Sequence, residues 1–437
     1  MDILLNVINM KTKQFAITML FCIALANMGC GGKSGKTGGK SGKVDTTVVD
    51  TTIETSEAKC DTVVSKPNSA TLLFDASGSM HGYLNSSDSR FIGVVSAFVN
   101  MPNQTVARLY GTNEGDPINK DVFDSKLNKR DIAWSNESDL MAMVGSMISH
   151  VETGDDVCLL VTDGILSGSD ADIKASPDRG YNIQNREKMS QDLIAKLGSK
   201  TGNLCALAVR YNAKFNGKYS CYNNSAQKLV NKERPFFVFV LGKWGRIKYI
   251  ENKLNEIKTS NGVSTPYEDI VMIGDAVSYK KMKLSAAEGL NPKDGKLIIK
   301  KEFRSESIAL SSDLGVLPAY MCTEDYFNSN IELFVQYGQN TQKPLDKKYY
   351  EVSVDKGNTK TMLKLSVKSS QLKDAKLTFK LKYALPEWIE QKSDDNDLDI
   401  ASNPSKLGKT FNLKYFMAGF AALHEGKYIK EQNLEFK

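Results

Sequence analysis

The sequence predicts an α/β fold, a doubly wound and mostly parallel sheet, followed by a β-rich sandwich-like region. Three observations predict it. From residue 68 to about 277, short continuous apolar runs alternate with stretches whose apolar residues recur at helical spacing. Those runs are apolar throughout rather than on alternate positions, which is the pattern of strands buried on both faces. From about residue 281 the rhythm changes to two-residue alternation broken by polar turns, the pattern of antiparallel strands with one face in a core.

Taken in order, residues 69–75 (SATLLFD) read as a buried strand, 90–101 as a helix and 105–111 as a strand. Residues 139–152 read as a helix, and 156–164 (DVCLLVTDG) as a continuous apolar strand ending in polar residues. A helix is expected over 185–197, strands over 204–215 and 235–242, and a helix over 245–258. In the β-rich region, strands are expected at 296–303, 330–338, 349–356, 362–369 and 375–383, with a turn at Asp355-Lys356-Gly357-Asn358. An apolar stretch at 411–425 reads as a late helix packing on that region. The aromatic-rich segment 211–223 reads as an exposed hairpin near the first sheet, either a partner-binding rim or ordinary packing.

The N-terminus carries a different signal. Lys11 and Lys13 precede an apolar run at 15–26, short for a bilayer span, and small residues with a cysteine follow in NMGCGG. Met10 opens a conventional signal segment, whereas residues 1–9 make an odd start. A signal peptide over 1–29 ending at Gly29–Cys30 resembles that of a bacterial lipoprotein, which implies that Cys30 is lipidated and that the chain is exported and anchored to a membrane of the cell envelope. Gly29 fits the lipoprotein pattern; Asn27 and Met28 depart from it.

Residues 30–67 read as a flexible Gly/Ser/Lys/Thr tether. The GGKSGKTGGKSGK run imitates a phosphate-binding loop, but neither register supplies the leading glycine: Gly35-Lys36-Thr37 would need it at Cys30, and Gly39-Lys40-Ser41 at Ser34. The division that follows is 1–29, 30–67, 68–280 and 281–437.

The chain's 57 basic and 51 acidic residues, a net charge of +6 over 437 residues, leave it too weakly basic to argue for nucleic acid. Seven cysteines (Cys22, Cys30, Cys60, Cys158, Cys205, Cys221, Cys322) include no CxxC spacing, so a zinc site is not expected. Cys158 reads as a small core residue. Cys205 and Cys221 are a candidate disulfide across an extended hairpin. The acidic run at 393–400 fails as a calcium loop, because a loop starting at Asp395 puts Ile400 where glycine is required; a solvated acidic loop is expected.

The residues that carry chemistry fall at strand ends, where ligands bind in open α/β sheets. Asp75, Ser77 and Ser79 form D-x-S-x-S directly after the first strand, and Asp163 ends another in V-T-D-G. A polar patch, SNESDL at 135–140, opens a helix between them. Carboxylate and hydroxyl oxygens are hard donors suited to Mg²⁺. If the loop is extended, residues two apart share a face and both hydroxyls point the same way.

DASGSM with a downstream VTDG resembles a von Willebrand factor type A domain and its metal-ion-dependent adhesion site, over about residues 68–277. The resemblance implies that Ser77 and Ser79 bind the metal directly and that Asp75 and Asp163 hold it directly or through water. A middle hydroxyl is implied from Ser138 or, less favoured, Ser135, where the family usually has threonine. It implies Mg²⁺, or Mn²⁺ or Ca²⁺ in its place, with one position left for an Asp or Glu carboxylate of a protein partner. The expected function is metal-dependent protein binding without catalysis.

Two other readings stand beside it: an assembly scaffold of an envelope complex with a structural metal, and an envelope serine hydrolase using Ser77 or Ser79. The hydrolase lacks the Gly-x-Ser-x-Gly elbow, and of His81, His150 and His424 only His81 is near the serines in sequence.

Overall fold

Apolar runs too continuous to leave a face in water give a sheet covered on both sides. The computed structural model describes residues 63–135, 139–166, 204–221, 223, 225–259, 266–274, 279–286, 290–293, 296–299, 305–357, 360–421 and 428–437. All of them belong to one compact unit, Lys59–Lys437. The expected signal, Cys30, the tether up to residue 62, the helix at 185–197 and Ser138 lie outside the described residues.

The first sheet contains β1 (Ser69–Asp75), β2 (Gln104–Tyr110), β3 (Ile118–Asn119), β4 (Val157–Thr162), β5 (Leu204–Ser220), β6 (Ala226–Lys243) and β7 (Asp269–Ile273). Their order is β3-β2-β1-β4-β6-β5-β7. Helices α1 (His81–Leu84), α2 (Arg90–Val99), α3 (Lys120–Lys129), α4 (Leu140–Thr153) and α5 (Trp244–Thr259) connect or follow these strands.

The alternation of side chains along the strands divides the core in two. Leu72 and Phe74 of β1 face one cluster with Phe91 and Phe98 of α2, Phe123 of α3 and Ile247 and Ile250 of α5. Leu73, Cys158 and Leu160 face the other, with Met143, Val144 and Met147 of α4. Cys158 is fully buried in β4, the place its sequence context predicts.

The expectation of a mostly parallel sheet holds for only two of its six strand pairings. β1 pairs in parallel with β2 and β4, whereas β2–β3, β4–β6, β6–β5 and β5–β7 are antiparallel. The reason is connectivity. β5 and β6 are joined by the short turn at 221–225, and so short a connection forces antiparallel pairing, whereas a parallel pair needs a crossover. The aromatic segment 211–223 is therefore the outer part of a long two-stranded arm, paired from Leu204↔Lys243 to Ser220↔Ala226.

That geometry also excludes the Cys205–Cys221 disulfide. Both cysteines sit on one extended strand, Cys205 near its start and Cys221 just past its end, roughly 50 Å apart at strand rise, and neither is in a disulfide.

The β-rich region follows; besides the strands below it contains the antiparallel pair β9 (Leu290–Lys293) and β10 (Lys296–Ile299) and the helix α6 (Glu324–Asn330). Strands β8 (Ser285–Ala286), β11 (Ser307–Asp313), β14 (Tyr350–Lys356) and β15 (Thr361–Lys368) form one antiparallel sheet. Strands β12 (Ile331–Tyr337), β13 (Lys343–Pro344), β16 (Ala375–Lys382) and β19 (Tyr428–Glu435) form another, in the order β13-β12-β16-β19. Leu310, Leu363 and Leu365 of the first share a single core with Leu333, Leu377 and Phe379 of the second. The two-residue alternation reports this correctly: β12 buries every other residue more deeply.

Between β16 and β19 the chain leaves this core. The excursion, residues 384–421, contains α7 (Trp388–Gln391), the short parallel pair β17 (Ser393–Asp394) and β18 (Thr410–Phe411), and α8 (Leu413–Ala421). The sequence expectation that the late helix packs on the β-rich region is wrong. Leu413, Phe416, Met417 and Phe420 of α8, with Ile389 of α7, complete the core that α4 shares with the first sheet. Phe416 and Phe420 lie 5.1 and 6.0 Å from Phe239 of β6, ring centre to ring centre.

Polar contacts seal the same junction. Arg210 and Arg234, both almost fully buried, donate to main-chain carbonyls of the excursion, Arg210 to Gly408 at 3.0 Å and Arg234 to Leu407 and Lys409 at 2.8 Å each. Tyr219 donates to Asp397 at 2.8 Å. The acidic run at 393–400 is not a solvated loop: it folds round Lys406, whose ammonium meets Asp399 at 2.6 Å and Asp394 at 3.8 Å.

A buried ion pair ties α5 to the β-rich region. Lys248 meets Glu251 at 2.6 Å and donates to the Leu317 carbonyl at 3.1 Å, while Glu251 accepts from the Ala319 amide at 3.1 Å. Glu251 is 1% exposed. Glu251→Ala strands a buried ammonium and a buried amide, and is expected to cost about 3–5 kcal/mol, read as a lowered urea midpoint at unchanged slope. Glu251→Gln, which keeps an acceptor for the amide, is expected to cost less.

Candidate functional site

β1 and β4 lie side by side in parallel with Phe74 opposite Val161, so their carboxyl ends deliver Asp75 and Thr162 to the same point. Thr162 Oγ1 donates to Asp75 Oδ2 at 2.8 Å. The other carboxylate oxygen accepts from the Ser77 amide at 3.0 Å, the local aspartate turn that bends the chain off the strand. A second turn closes at once, with the Met80 amide donating to the Ser77 carbonyl at 3.1 Å.

This corrects the expectation of an extended loop. The hydroxyls of Ser77 and Ser79 converge, 3.0 Å apart, because the chain turns between them. Asp163, one residue past β4, completes the group; the Ser79 hydroxyl donates to its carboxylate, and the Ile165 amide donates to Asp163 Oδ1 at 3.3 Å.

Ser135 approaches from the loop before α4. Its amide donates to the Ala76 carbonyl at 2.7 Å, which lays it alongside Ser77 in parallel pairing. Thr112 Oγ1 lies 3.4 Å from Ser135 Oγ. Gly111 makes this approach possible, since a Cβ there would stand 2.7 Å from Ser135 Cβ. Ser135, the less favoured middle residue in the sequence, is thus the residue whose main chain pairs with Ser77; Ser138 lies outside the described residues. Asp139, directly after Ser138, is committed elsewhere: it caps α4 by accepting from the amides of Met141 and Ala142.

The electrostatics of the cup are unfavourable as it stands. Asp75 and Asp163 are 3% and 5% exposed. Burial, and then the neighbouring charge of Asp163, push the Asp75 carboxyl up to about 6. Burial likewise raises Asp163, against the pull of the Arg234 guanidinium. That guanidinium is itself held by the excursion carbonyls. Two buried carboxylates and the serine hydroxyls are hard oxygen donors that favour a divalent cation of the Mg²⁺ type over a thiolate-loving metal. Among the described residues no group of three or more His, Cys, Asp or Glu side chains is placed to hold a metal, so such a site depends on hydroxyl ligands.

The two described histidines are engaged elsewhere, and His424 lies outside the described residues. His81 is exposed, with its ring 4.9 Å from that of Trp134 and its Nδ1 3.5 Å from Asn85. His150, near the C-terminus of α4, meets Glu114 at 2.9 Å and Asp155 at 3.6 Å, Asp155 lying just before the opposite end of β4.

Two residues of the site surroundings are not singled out by the sequence: Thr162, although VTDG contains it, and Arg234, whose pull on Asp163 depends on the arm meeting the excursion. No model of a known protein family matches the chain, and no curated protein or solved structure matches it.

Proposed function

We propose that the first sheet and its helices form a von Willebrand factor type A domain whose strand-end cup holds a divalent cation, Mg²⁺ by preference. In this reading Ser77 and Ser79 bind the cation directly, Asp75 and Asp163 directly or through water, and Ser135 or Ser138 adds a hydroxyl. The protein then binds, without catalysis, an Asp or Glu carboxylate of a protein partner at the remaining position. The observation that carries the reading is the pair of buried carboxylates at adjacent strand ends, both raised by burial, with two serine hydroxyls 3.0 Å apart between them. A cation supplies the positive charge that this arrangement lacks. Export and anchoring through Cys30 to a cell-envelope membrane belong to the same proposal.

The test is a Mg²⁺ titration by calorimetry, joined to retention of an envelope partner on immobilised protein with Mg²⁺ or with EDTA. Wild type is expected to bind Mg²⁺ saturably and to release its partner in EDTA. Asp75→Ala is expected to lose both while keeping the wild-type circular dichroism spectrum. A partner retained equally in EDTA overturns the adhesion reading, and chelation that lowers stability alone points to a scaffold with a structural metal.

A further inference from the structure

We propose that Asn412 is a positioning residue for the oxygen cup, and that through it the excursion from the β-rich region sets the cup's cation affinity. The inference rests on the cup holding a divalent cation. Asp163 faces Ser79 only if the turn at 163–166 holds its course. One end of that turn is fixed within the first sheet: the Gly164 amide donates to Thr162 Oγ1 at 3.1 Å. Gly164 itself has φ +71° and leaves no room for a Cβ, which would stand 2.8 Å from the Phe237 ring.

The other end is held from 246 residues away. The Leu166 carbonyl accepts from Asn412 Nδ2 at 3.1 Å, and the Leu166 amide donates to the Phe411 carbonyl at 3.4 Å. Leu166 and Asn412 are 1% and 0% exposed, so water does not replace these bonds when they break.

Asn412 is anchored to the excursion on its own side. Its amide donates to the Asp394 carbonyl at 2.9 Å, and its carbonyl accepts from the amides of Tyr415 and Phe416 at the start of α8. Its φ of +58° is a left-handed conformation that asparagine adopts more readily than other side-chain-bearing residues. The flanking β17–β18 pair, Ser393↔Thr410 and Asp394↔Phe411, fixes its height.

The excursion begins and ends at β16 and β19, neighbouring strands of one sheet. The turn that carries Asp163 is therefore joined by two buried hydrogen bonds to the excursion, and only through the excursion's own chain to the β-rich region. Linkage requires the effect to run both ways: a cation that orders the 163–166 turn also orders residues 410–412.

The test compares wild type, Asn412→Gly and a control, Val367→Ala in the β-rich core. Asn412→Gly tolerates the left-handed backbone and removes the carboxamide that donates to the Leu166 carbonyl. Mg²⁺ affinity is measured by calorimetry, and amide hydrogen exchange at 163–166 and 410–412 is followed with and without Mg²⁺. Expected are a Mg²⁺ Kd raised about tenfold or more in Asn412→Gly, as for other residues that orient metal ligands, and faster exchange at Leu166 even in EDTA. Mg²⁺ is expected to slow exchange at 410–412 in wild type, and Val367→Ala to lose stability with its Kd unchanged. An unchanged Kd in Asn412→Gly, or an equal rise in Val367→Ala, overturns the inference while leaving the cation reading intact. A wild type that binds no Mg²⁺ overturns both. If Asn412→Gly does not fold, Asn412→Asp, which keeps the shape and loses the donor, serves in its place with the same expectations.

Discussion

A fragment spanning residues 63–280, the whole of the first sheet without the β-rich region, is expected not to fold cooperatively. The boundary looks natural in the sequence, because the strand–helix rhythm stops there. The packing argues otherwise. Removing the excursion uncovers the face of β6 that carries Phe237, Phe239 and Leu241, together with the α4 side chains sharing its core. Full burial of a large apolar side chain is worth about 1.5–3 kcal/mol. Losing Leu413, Phe416, Met417 and Phe420 of α8 with Ile389 thus forfeits on the order of 10 kcal/mol, as much as the net stability of a typical domain. Arg210 and Arg234 lose their carbonyl acceptors in the same step, leaving two almost fully buried guanidinium groups underpaired. The measurement is a thermal melt followed by near-ultraviolet circular dichroism with dye binding. A broad transition with strong dye binding is expected, and a sharp transition like that of the full chain would show that the excursion is dispensable.

That miscalculated boundary marks what a linear reading can and cannot recover. SATLLFD and DVCLLVTDG announce strands because continuous apolar runs require cover on both faces, and their polar ends place Asp75 and Asp163 without any structure. Convergence of the two aspartates follows from the adjacency of β1 and β4, which are not consecutive: the order β2-β1-β4 reverses the direction of strand addition at β1, and the alternating rhythm does not encode that order.

The hairpin arm was half legible. Residues 204–215 and 235–242 read as strands, but the intervening charged stretch hides the pairing, because its lysines point to water while Leu229 and Arg234 point inward. Amphipathicity likewise shows that the late helix must bury a face, yet it gives no address. The same limit applies to Asn412, whose partner is 246 residues away, and to Ser135, brought to the cup by a main-chain bond to Ala76 that no side-chain pattern encodes.

Mg²⁺ is expected to raise the melting temperature by several degrees at pH 7.5 and by much less at pH 5. The ordinary aspartate value is 3.8, and in the cation-free fold Asp75 stands at about 6. A carboxyl raised on folding binds its proton more tightly in the native state, so its ionisation opposes folding. The penalty is absent below the ordinary value, grows as pH rises between about 4 and 6, and is complete above that. In EDTA the contribution of Asp75 therefore makes the protein less stable at pH 7.5 than at pH 5.

A cation reverses this, because it needs the carboxylates ionised; at pH 5 it must displace the proton first. At a hundredfold excess over Kd, binding adds about 2.7 kcal/mol, which accounts for the expected shift at the higher pH. Asp75→Asn separates the two contributions. It removes the like charge beside Asp163 while leaving an acceptor for Ser77 or Thr162. In EDTA at pH 7.5 it is expected to melt at or above the wild-type temperature, and Mg²⁺ is expected to add almost nothing. A variant that instead melts well below wild type in EDTA would mean that Asp75 serves the fold through its two hydrogen bonds and not as a cation ligand, because only a ligand set strained by its own charge gains from losing one.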